Sequence, residues 1–338
     1  MAAPIDDVAS ITDVVAAVNE ISRFLAHEQI RDTADLDKYL AATTSDSGGA
    51  APVVDVIVFC ASAVLYTADG VFSAINKVKE ARGAQRQQSP APYAHRLVLV
   101  LCGGIGHSTH HMHEAVARHP RYHVLAEQVS GKPEARVLQA IAERFFGLVA
   151  NDPQADETRE PTSGPGATKG TLTVLVEDQS TNCGANAAMT KNLLESHGIF
   201  RPRNIIVAQD PTMCRRTAAS FEKLYEADPA SRPRVLCWPT FVPRVAAVND
   251  NVSSSLEKGT LARLIFQVDR AKGPNLDDLW DMPRFADLIM GEIPRLRDSV
   301  DGYGPKGKGF ISHVDVPQSV ETAWCLLQLY LGNLDRTI

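Results

Sequence analysis

Leu172-Thr-Val-Leu-Val-Glu-Asp-Gln-Ser-Thr-Asn-Cys-Gly-Ala-Asn186 is a strand running into a helix, and its reading decides the fold. Leu172 to Val176 is short, apolar and rich in β-branched residues, as expected of a strand buried on both faces. Glu177 and Asp178 then leave the sheet at its carboxyl edge. Ser180, Thr181 and Asn182 are N-cap residues and Ala185 to Leu194 is helix-forming, so backbone N–H groups without helical acceptors point back toward the same crevice. That end attracts anions. One such residue is commonly a plain helix cap or a solvated loop carboxylate. Several crowded at one strand end point to a ligand, because open α/β sheets bind ligands there.

Working outward, further strands are expected at Val53 to Cys60, Arg96 to Leu101, Asn204 to Gln209 and Arg234 to Trp238. Helical patterns separate them at Ile11 to His27, Asp69 to Ala81, Thr109 to Arg118, Pro133 to Phe146, Ala185 to His197 and Thr212 to Ala227. Alternation of this kind gives a doubly wound α/β fold, a mostly parallel sheet with right-handed crossovers and helices on both faces. Residues 1–240 are assigned to this domain, with aperiodic, flexible insertions near 43–52, 82–93 and 151–170. Residues 241–338 form a smaller C-terminal helical subdomain, with helices expected at Leu256 to Arg270, Asp278 to Met290 and Gln318 to Leu331 and a glycine-rich basic loop over Gly302 to Gly309. Such a subdomain is placed to cap the sheet or to pack against it.

The composition bounds the function. A chain of 338 residues with 44% hydrophobic content can bury a sizeable core. No stretch approaches the roughly 18 apolar residues of a membrane span, and Met1 to Val8 carries two acids and no basic n-region. The six cysteines, Cys60, Cys102, Cys183, Cys214, Cys237 and Cys325, lack paired spacing, so reduced thiols and a cytoplasmic location are expected and a two-cysteine-knuckle zinc site is excluded. A net charge of −6 without a basic stripe gives no footprint for nucleic acid. A small-molecule partner remains, with neither nucleic acid nor membrane.

Three further junctions carry candidate chemistry. Cys102-Gly-Gly-Ile-Gly-His-Ser-Thr109 leads from a strand into a helix, where glycines permit close backbone approach to a ligand. It is not the dinucleotide fingerprint, since the third glycine spacing fails and no acid ends a following strand about twenty residues later, which disfavours a nicotinamide cofactor. His107, His110, His111 and His113 lack the HExxH pattern, and no metal site is assigned to them. Gln209-Asp-Pro-Thr-Met-Cys-Arg-Arg216 suits a helix start capped by Asp210, with Arg215 one turn in and able to clamp a carboxylate or phosphate, or else to pair with surface acids. Glu134, in the first turn after Gly131-Lys-Pro, serves the helix dipole or hydrogen-bonds ligand hydroxyls.

Taken together, Gly103-Gly-Ile-Gly-His-Ser-Thr109, Glu177-Asp-Gln-Ser-Thr-Asn-Cys-Gly184 with Asn186, Gln209-Asp-Pro-Thr-Met213 with Arg215-Arg216, Phe241-Val-Pro243, and Pro294-Arg-Leu-Arg-Asp298 with Asp301-Gly-Tyr-Gly-Pro305 resemble the YdcF/SanA/ElyC family. The likeness runs in order over roughly residues 10 to 330, with Ala185 where the family usually has glutamate and Cys60-Ala-Ser-Ala63 in place of a glycine-containing turn. It implies a Rossmann-like domain with a helical C-terminal part, binding S-adenosylmethionine. The envelope role of the membrane-anchored SanA and ElyC does not transfer to a chain read as lacking an anchor.

On that expectation Gly103, Gly104, Gly106 and the helix start at Thr109 make backbone contacts. Glu177 or Glu134 recognises hydroxyls or the ammonium, and Ser180, Thr181, Asn182 and Arg215 take the carboxylate, with Asn186 and Gln209 counted among the binding residues. If a group is transferred, Asp178, His107 and Asp210 are the candidate bases. A phosphoester or nucleotide hydrolase and a ligand sensor without turnover are the alternatives.

Overall fold

The computed structural model describes residues 10–41, 53–88, 95–151, 172–229, 232–248, 261–269 and 273–331. Its helices through the sheet domain are α1 (Ile11–Ala26), α2 (Thr33–Leu40), α3 (Tyr66–Gln88), α4 (Thr109–Arg118), α5 (Ala126–Val129), α6 (Glu134–Phe146), α7 (Cys183–Ser196) and α8 (Cys214–Leu224). The strands β1 (Val54–Cys60), β2 (Arg96–Cys102), β3 (Leu172–Glu177), β4 (Asn204–Ala208) and β5 (Arg234–Trp238) form one all-parallel sheet in the order β3-β2-β1-β4-β5. This is a Rossmann-like parallel α/β fold. The chain steps from β1 through β2 to β3, then crosses to the other side of β1, so the topological switch point lies between β1 and β4.

Strand alternation explains why both faces are apolar. Ile57, Phe59, Leu99, Leu101 and Ile206 share one core with α3, α4 and α6, through Phe72, Met112 and Leu138. Val56, Val58, Val98, Val100 and Val207 share the opposite one with α7 and α8, through Ala187, Leu194 and Phe221. Fully burying each such side chain contributes about 1.5–3 kcal/mol.

Amide side chains close both edges of the sheet. Asn151 on β3 gives its N–H to the Val174 carbonyl and accepts the Val174 N–H on Oδ1 at 2.9 Å. Gln29 does the same to Cys237 of β5, accepting its N–H at 2.8 Å. Each edge strand thereby spends donor and acceptor that would otherwise template another chain.

A third core is assembled from both ends of the chain. Val14, Val18, Ile21 and Leu25, at helical spacing on α1, pack with Phe285, Ile289 and Ile293 of α9 (Met282–Leu296) and Leu327 of α10 (Gln318–Leu331). The apolar face of α1, at the start of the chain, thus packs with the C-terminal helices.

The structure revises other expectations. The helix expected over Leu256 to Arg270 is, within 261–269, a 3-10 turn followed by β7 (Leu264–Phe266), antiparallel to β6 (Val245–Ala247). Leu-Ile-Phe suits a pleated surface, and pairing overrides the helical spacing. The insertion near 82–93 begins as helix, because α3 continues to Gln88 through residues of high helix propensity. Residues 89–93, 43–52 and 152–170 lie outside the described residues. The Gly302 to Gly309 loop is folded around Asp298, which accepts the Lys306 N–H at 2.7 Å and faces His313 Nδ1 at 3.0 Å.

Candidate functional site

The loops leaving β1, β2, β3 and β4 meet at the carboxyl edge of the sheet and are tied by their backbones. Ala61 N–H bonds the Cys102 carbonyl, Gly103 N–H that of Glu177, and Gly104 N–H that of Ser180 at 2.8 Å. Glu134 and Ala135 return their N–H groups to the carbonyls of Gly104 and Gly103. Ser62 after β1 donates to Asp210 after β4 at 2.9 Å, closing the ring across the switch point. Gly103, Thr181 and Asp210 therefore belong to one connected edge.

The glycines serve this assembly. A β-carbon on Gly104 would stand 2.2 Å from the Ser180 carbonyl oxygen, and one on Gly106 3.0 Å from that of Thr181. Close approach was expected toward a ligand; at Gly104 and Gly106 it is toward the neighbouring loop. Gly103 differs. At φ +146 it is packed closely by Glu134 and Ala61: a β-carbon there would sit 3.1 Å from both Glu134 Cβ and Glu134 Oε2 and 3.2 Å from Ala61 Cβ.

Several expected ligand contacts are already used within the protein. Glu177, buried, accepts from Gln179 N at 2.8 Å, Ser180 N at 3.0 Å, Ser180 Oγ at 2.6 Å and the Cys102 thiol at 3.1 Å, which fills its acceptor positions and pins Ser180 beside it. Asn182 caps α7 by accepting Ala185 N–H at 3.0 Å. Gln209 accepts the Asp210 N–H at 2.8 Å and lies buried beside Thr217 and Cys183. Asp210 does not cap the helix, which begins at Cys214; it holds a tight turn by accepting from Thr212 N at 3.0 Å and Thr212 Oγ1 at 2.7 Å.

Arg215 is the clearest correction. Its Nε donates to the Phe24 carbonyl at 2.7 Å, its Nη2 to His27 Nδ1 at 2.8 Å, and its guanidinium lies 4.0 Å from the Phe24 ring centroid. The helix turns this arginine toward the end of α1, where it docks the N-terminal helix. Burial and the Arg215 charge push His27 down to about 4, so the imidazole accepts as a neutral ring. Arg215→Met is expected to lower stability by about 1.5–3 kcal/mol, the worth of hydrogen bonds to a charged group, and to leave ligand affinity unchanged. Urea denaturation and calorimetry on the same preparation check both halves.

The candidate bases separate on the same grounds. Burial raises Asp178, but hydrogen bonds from Gln179 and Arg136, with the Arg136 charge, outweigh it and hold the carboxyl below its ordinary value. A carboxylate so paired is a weak base. Burial raises Asp210, against hydrogen bonds from Thr212, Ser62 and Trp280, and the group is enclosed. His107 is exposed.

What the edge still presents is specific. Thr109 Oγ1 accepts the Gly106 N–H at 2.8 Å and donates to Glu134 Oε1 at 3.0 Å, with Oε2 turned to Gly103. Burial raises the Glu134 pKa, opposed by the Thr109 hydrogen bond. Thr181 is exposed, and the Cys183 and Gly184 amides precede the first intrahelical bond, which runs from Asn186 N–H to the Asn182 carbonyl. Asn186 is buried in the first turn of α7, with its carbonyl against the Cys102 thiol. Ser62 and Trp280, which fix Asp210, were not foreseen. Ser62 carries a weak signal as a hydroxyl directly after a strand; Trp280, far along the chain, carries none.

No family model matches the chain. Among the described residues no group of three or more His, Cys, Asp and Glu is placed to hold a metal ion, and no helix is long and apolar enough to cross a membrane.

Proposed function

We propose that this protein binds an adenosyl compound, S-adenosylmethionine foremost, at the carboxyl edge of β1 to β4, in the manner of the YdcF/SanA/ElyC family that its motifs resemble. One observation carries the reading. Glu134, held by Thr109 through Oε1 and raised by burial, sets Oε2 against the bare α-carbon of Gly103, where a β-carbon would stand 3.1 Å from it. A partly desolvated carboxyl oxygen at the strand ends gains from vicinal hydroxyls. The earlier choice between Glu177 and Glu134 therefore falls on Glu134, since Glu177 is saturated. Cys183 and Gly184 amides at the positive end of α7, with the Thr181 hydroxyl, suit the methionyl carboxylate. Asn182 positions that helix end, and Arg215 is engaged at α1 instead.

When bound, the cofactor would supply an electrophilic sulfonium-linked group. Asp178 is held a weak base and Asp210 is enclosed, which leaves His107 as the accessible base and favours binding over rapid turnover. Titration calorimetry with S-adenosylmethionine, S-adenosylhomocysteine and adenosine is the test. Glu134→Gln should weaken binding about tenfold, the value of roughly 1.4 kcal/mol. Indifference to all three compounds would end the proposal, and an unaltered affinity in Glu134→Gln would move the site. Demethylated cofactor appearing on incubation would identify a transferase, and its absence with tight binding a sensor.

A further inference from the structure

A cavity of about 620 Å³ opens beside this edge, between α4 and the segment leading into α9, and nothing in the preceding reading uses it. Its floor is apolar, formed by Val64, Leu279 and Trp280. One wall is the α4 face carrying His111, Glu114 and Arg118, which fall at helical spacing; the other carries Asp277, Asp278 and Arg284.

Arg284 is the organising group. Its Nη1 lies 2.7 Å from His111 Nε2. A guanidinium only donates, so His111 Nε2 accepts and the ring is neutral with its proton on Nδ1, which faces Glu114 Oε2 at 3.7 Å. Burial, Arg284 and His110 together lower the His111 pKa, in agreement. The arginine is thereby braced across the cavity from α9 to α4 while its planar fork retains further N–H donors, the geometry that receives a carboxylate. Asp281 takes no part, being occupied as the N-cap of α9, where it accepts Arg284 N–H at 2.7 Å. Carboxylates of both walls, Glu114 on one and Asp277 and Asp278 on the other, lie around the same space as Arg118 and Arg284, so it offers groups for a cation and for an anion above an apolar floor.

We infer that this cavity binds a small zwitterion with an apolar tail, of the α-amino acid class, its carboxylate on Arg284 and its ammonium between Glu114 and Asp277. The volume lies within the range of ligand pockets, roughly 300–1,000 Å³. Neither charge alone satisfies both kinds of group, and an apolar tail matches Val64, Leu279 and Trp280. The site stands independently of the adenosyl reading, because it shares no residue with Glu134, Gly103 or the α7 terminus.

Three probes of one skeleton decide it: L-leucine, 4-methylpentanoate, which lacks the amine, and isoamylamine, which lacks the carboxylate. Saturation-transfer NMR and calorimetry on the intact protein should show leucine at least tenfold tighter than either analogue. Arg284→Met should abolish that advantage and leave isoamylamine unaffected, while Asp277→Asn should weaken leucine and leave 4-methylpentanoate unaffected. Since Arg284 also braces α9 against α4, melting curves accompany its variant, and Asp277→Asn, at an exposed side chain, decides the matter if that variant does not fold. Leucine bound no better than an analogue, or none of the three bound, would overturn the inference.

Discussion

Gly104→Ala should cost about 3–5 kcal/mol, near the full stability of a weak domain and large for a single methyl group. The methyl carbon would stand 2.2 Å from the Ser180 carbonyl oxygen, 2.9 Å from that of Asp178 and 3.0 Å from the Gln179 carbonyl carbon. All of these are backbone atoms, so no side-chain rotation relieves the overlap and the two loops must part. Parting them breaks the Gly104 N–H bond to Ser180 and threatens the Glu134 N–H bond to the Gly104 carbonyl. Overpacking alone costs typically 1–3 kcal/mol and each lost buried bond about another 1. Gly106→Ala is the internal control. Its nearest obstacle, the Thr181 carbonyl at 3.0 Å, yields to a shift of a few tenths of an ångström, and the expected cost is about 1–2 kcal/mol. Urea midpoints at unchanged m-value measure both. Equal, small losses would mean that the β2 and β3 loops are not locked together, and the site built on that lock would fall with it. Adenosyl binding should fail in Gly104→Ala even where the protein still folds, because Glu134 is hung from the same carbonyl.

The sheet was legible in the sequence because a strand buried on both faces is a mostly apolar run, and each of the five has such a run at its centre, with polar residues such as Arg96, Asn204 and Arg234 confined mainly to the ends. Arg234 to Trp238 was placed at its observed bounds, and the other runs within a residue at either end. Helices with an apolar stripe and a clear start were equally readable, Thr109 to Arg118 among them. Elements too short to show a period were not. α2 spans eight residues, and β6 and β7 three each, so their existence rests on partners distant in sequence.

The edge at which the candidate residues gather was legible, and the contacts within it were not. Strand ends must gather at one edge of a parallel sheet, so Gly103, Glu177 and Gln209 could be assigned there from order alone. Which of two acids keeps an open oxygen is a matter of ångströms. Glu177 sits opposite Cys102 in the β2–β3 register, and its loop curls back to donate from Gln179 and Ser180. Glu134 begins a helix that crosses above Gly103 and meets only Thr109. Adjacent arginines divide in the same way. Arg215 turns to α1, and Arg216 to the buried carboxylate of Glu292 on α9. One residue on a helix is a rotation of about 100°, and no local pattern reveals which neighbour waits on each side.

The opposite end of the sheet supplies the second large effect. Asp55→Asn is expected to destabilise the protein by about 3–5 kcal/mol at neutral pH, as breaking a buried ion pair does. Asp55 is fully buried at the start of β1 and accepts from His95 Nε2 at 2.6 Å, Arg203 Nε at 3.0 Å, Arg203 Nη2 and Asn204 Nδ2 at 2.9 Å. Burial pushes its pKa up, but the hydrogen bonds from His95 and Arg203, together with their charges, outweigh it and leave the carboxyl below its ordinary value. A depressed folded-state pKa contributes stability that is present above the unfolded value and is lost as pH falls through the folded one. The wild type should therefore lose this contribution only as pH drops below about 4, and the gap between wild type and variant should narrow there. The asparagine keeps the shape and loses the charge, so the Arg203 guanidinium is left largely buried without its counter-ion. That arginine also donates to the carbonyls of Tyr39, Leu40 and Ala41, which end α2, so its displacement loosens the helix from the sheet. Hydrogen exchange should accordingly speed up first in Thr33 to Leu40. Urea titrations at neutral and acid pH read the energetic half of the argument. A variant as stable as the wild type at neutral pH would mean that the charge of Asp55 contributes nothing net, its attraction cancelled by the desolvation it suffers between β1, β2 and β4.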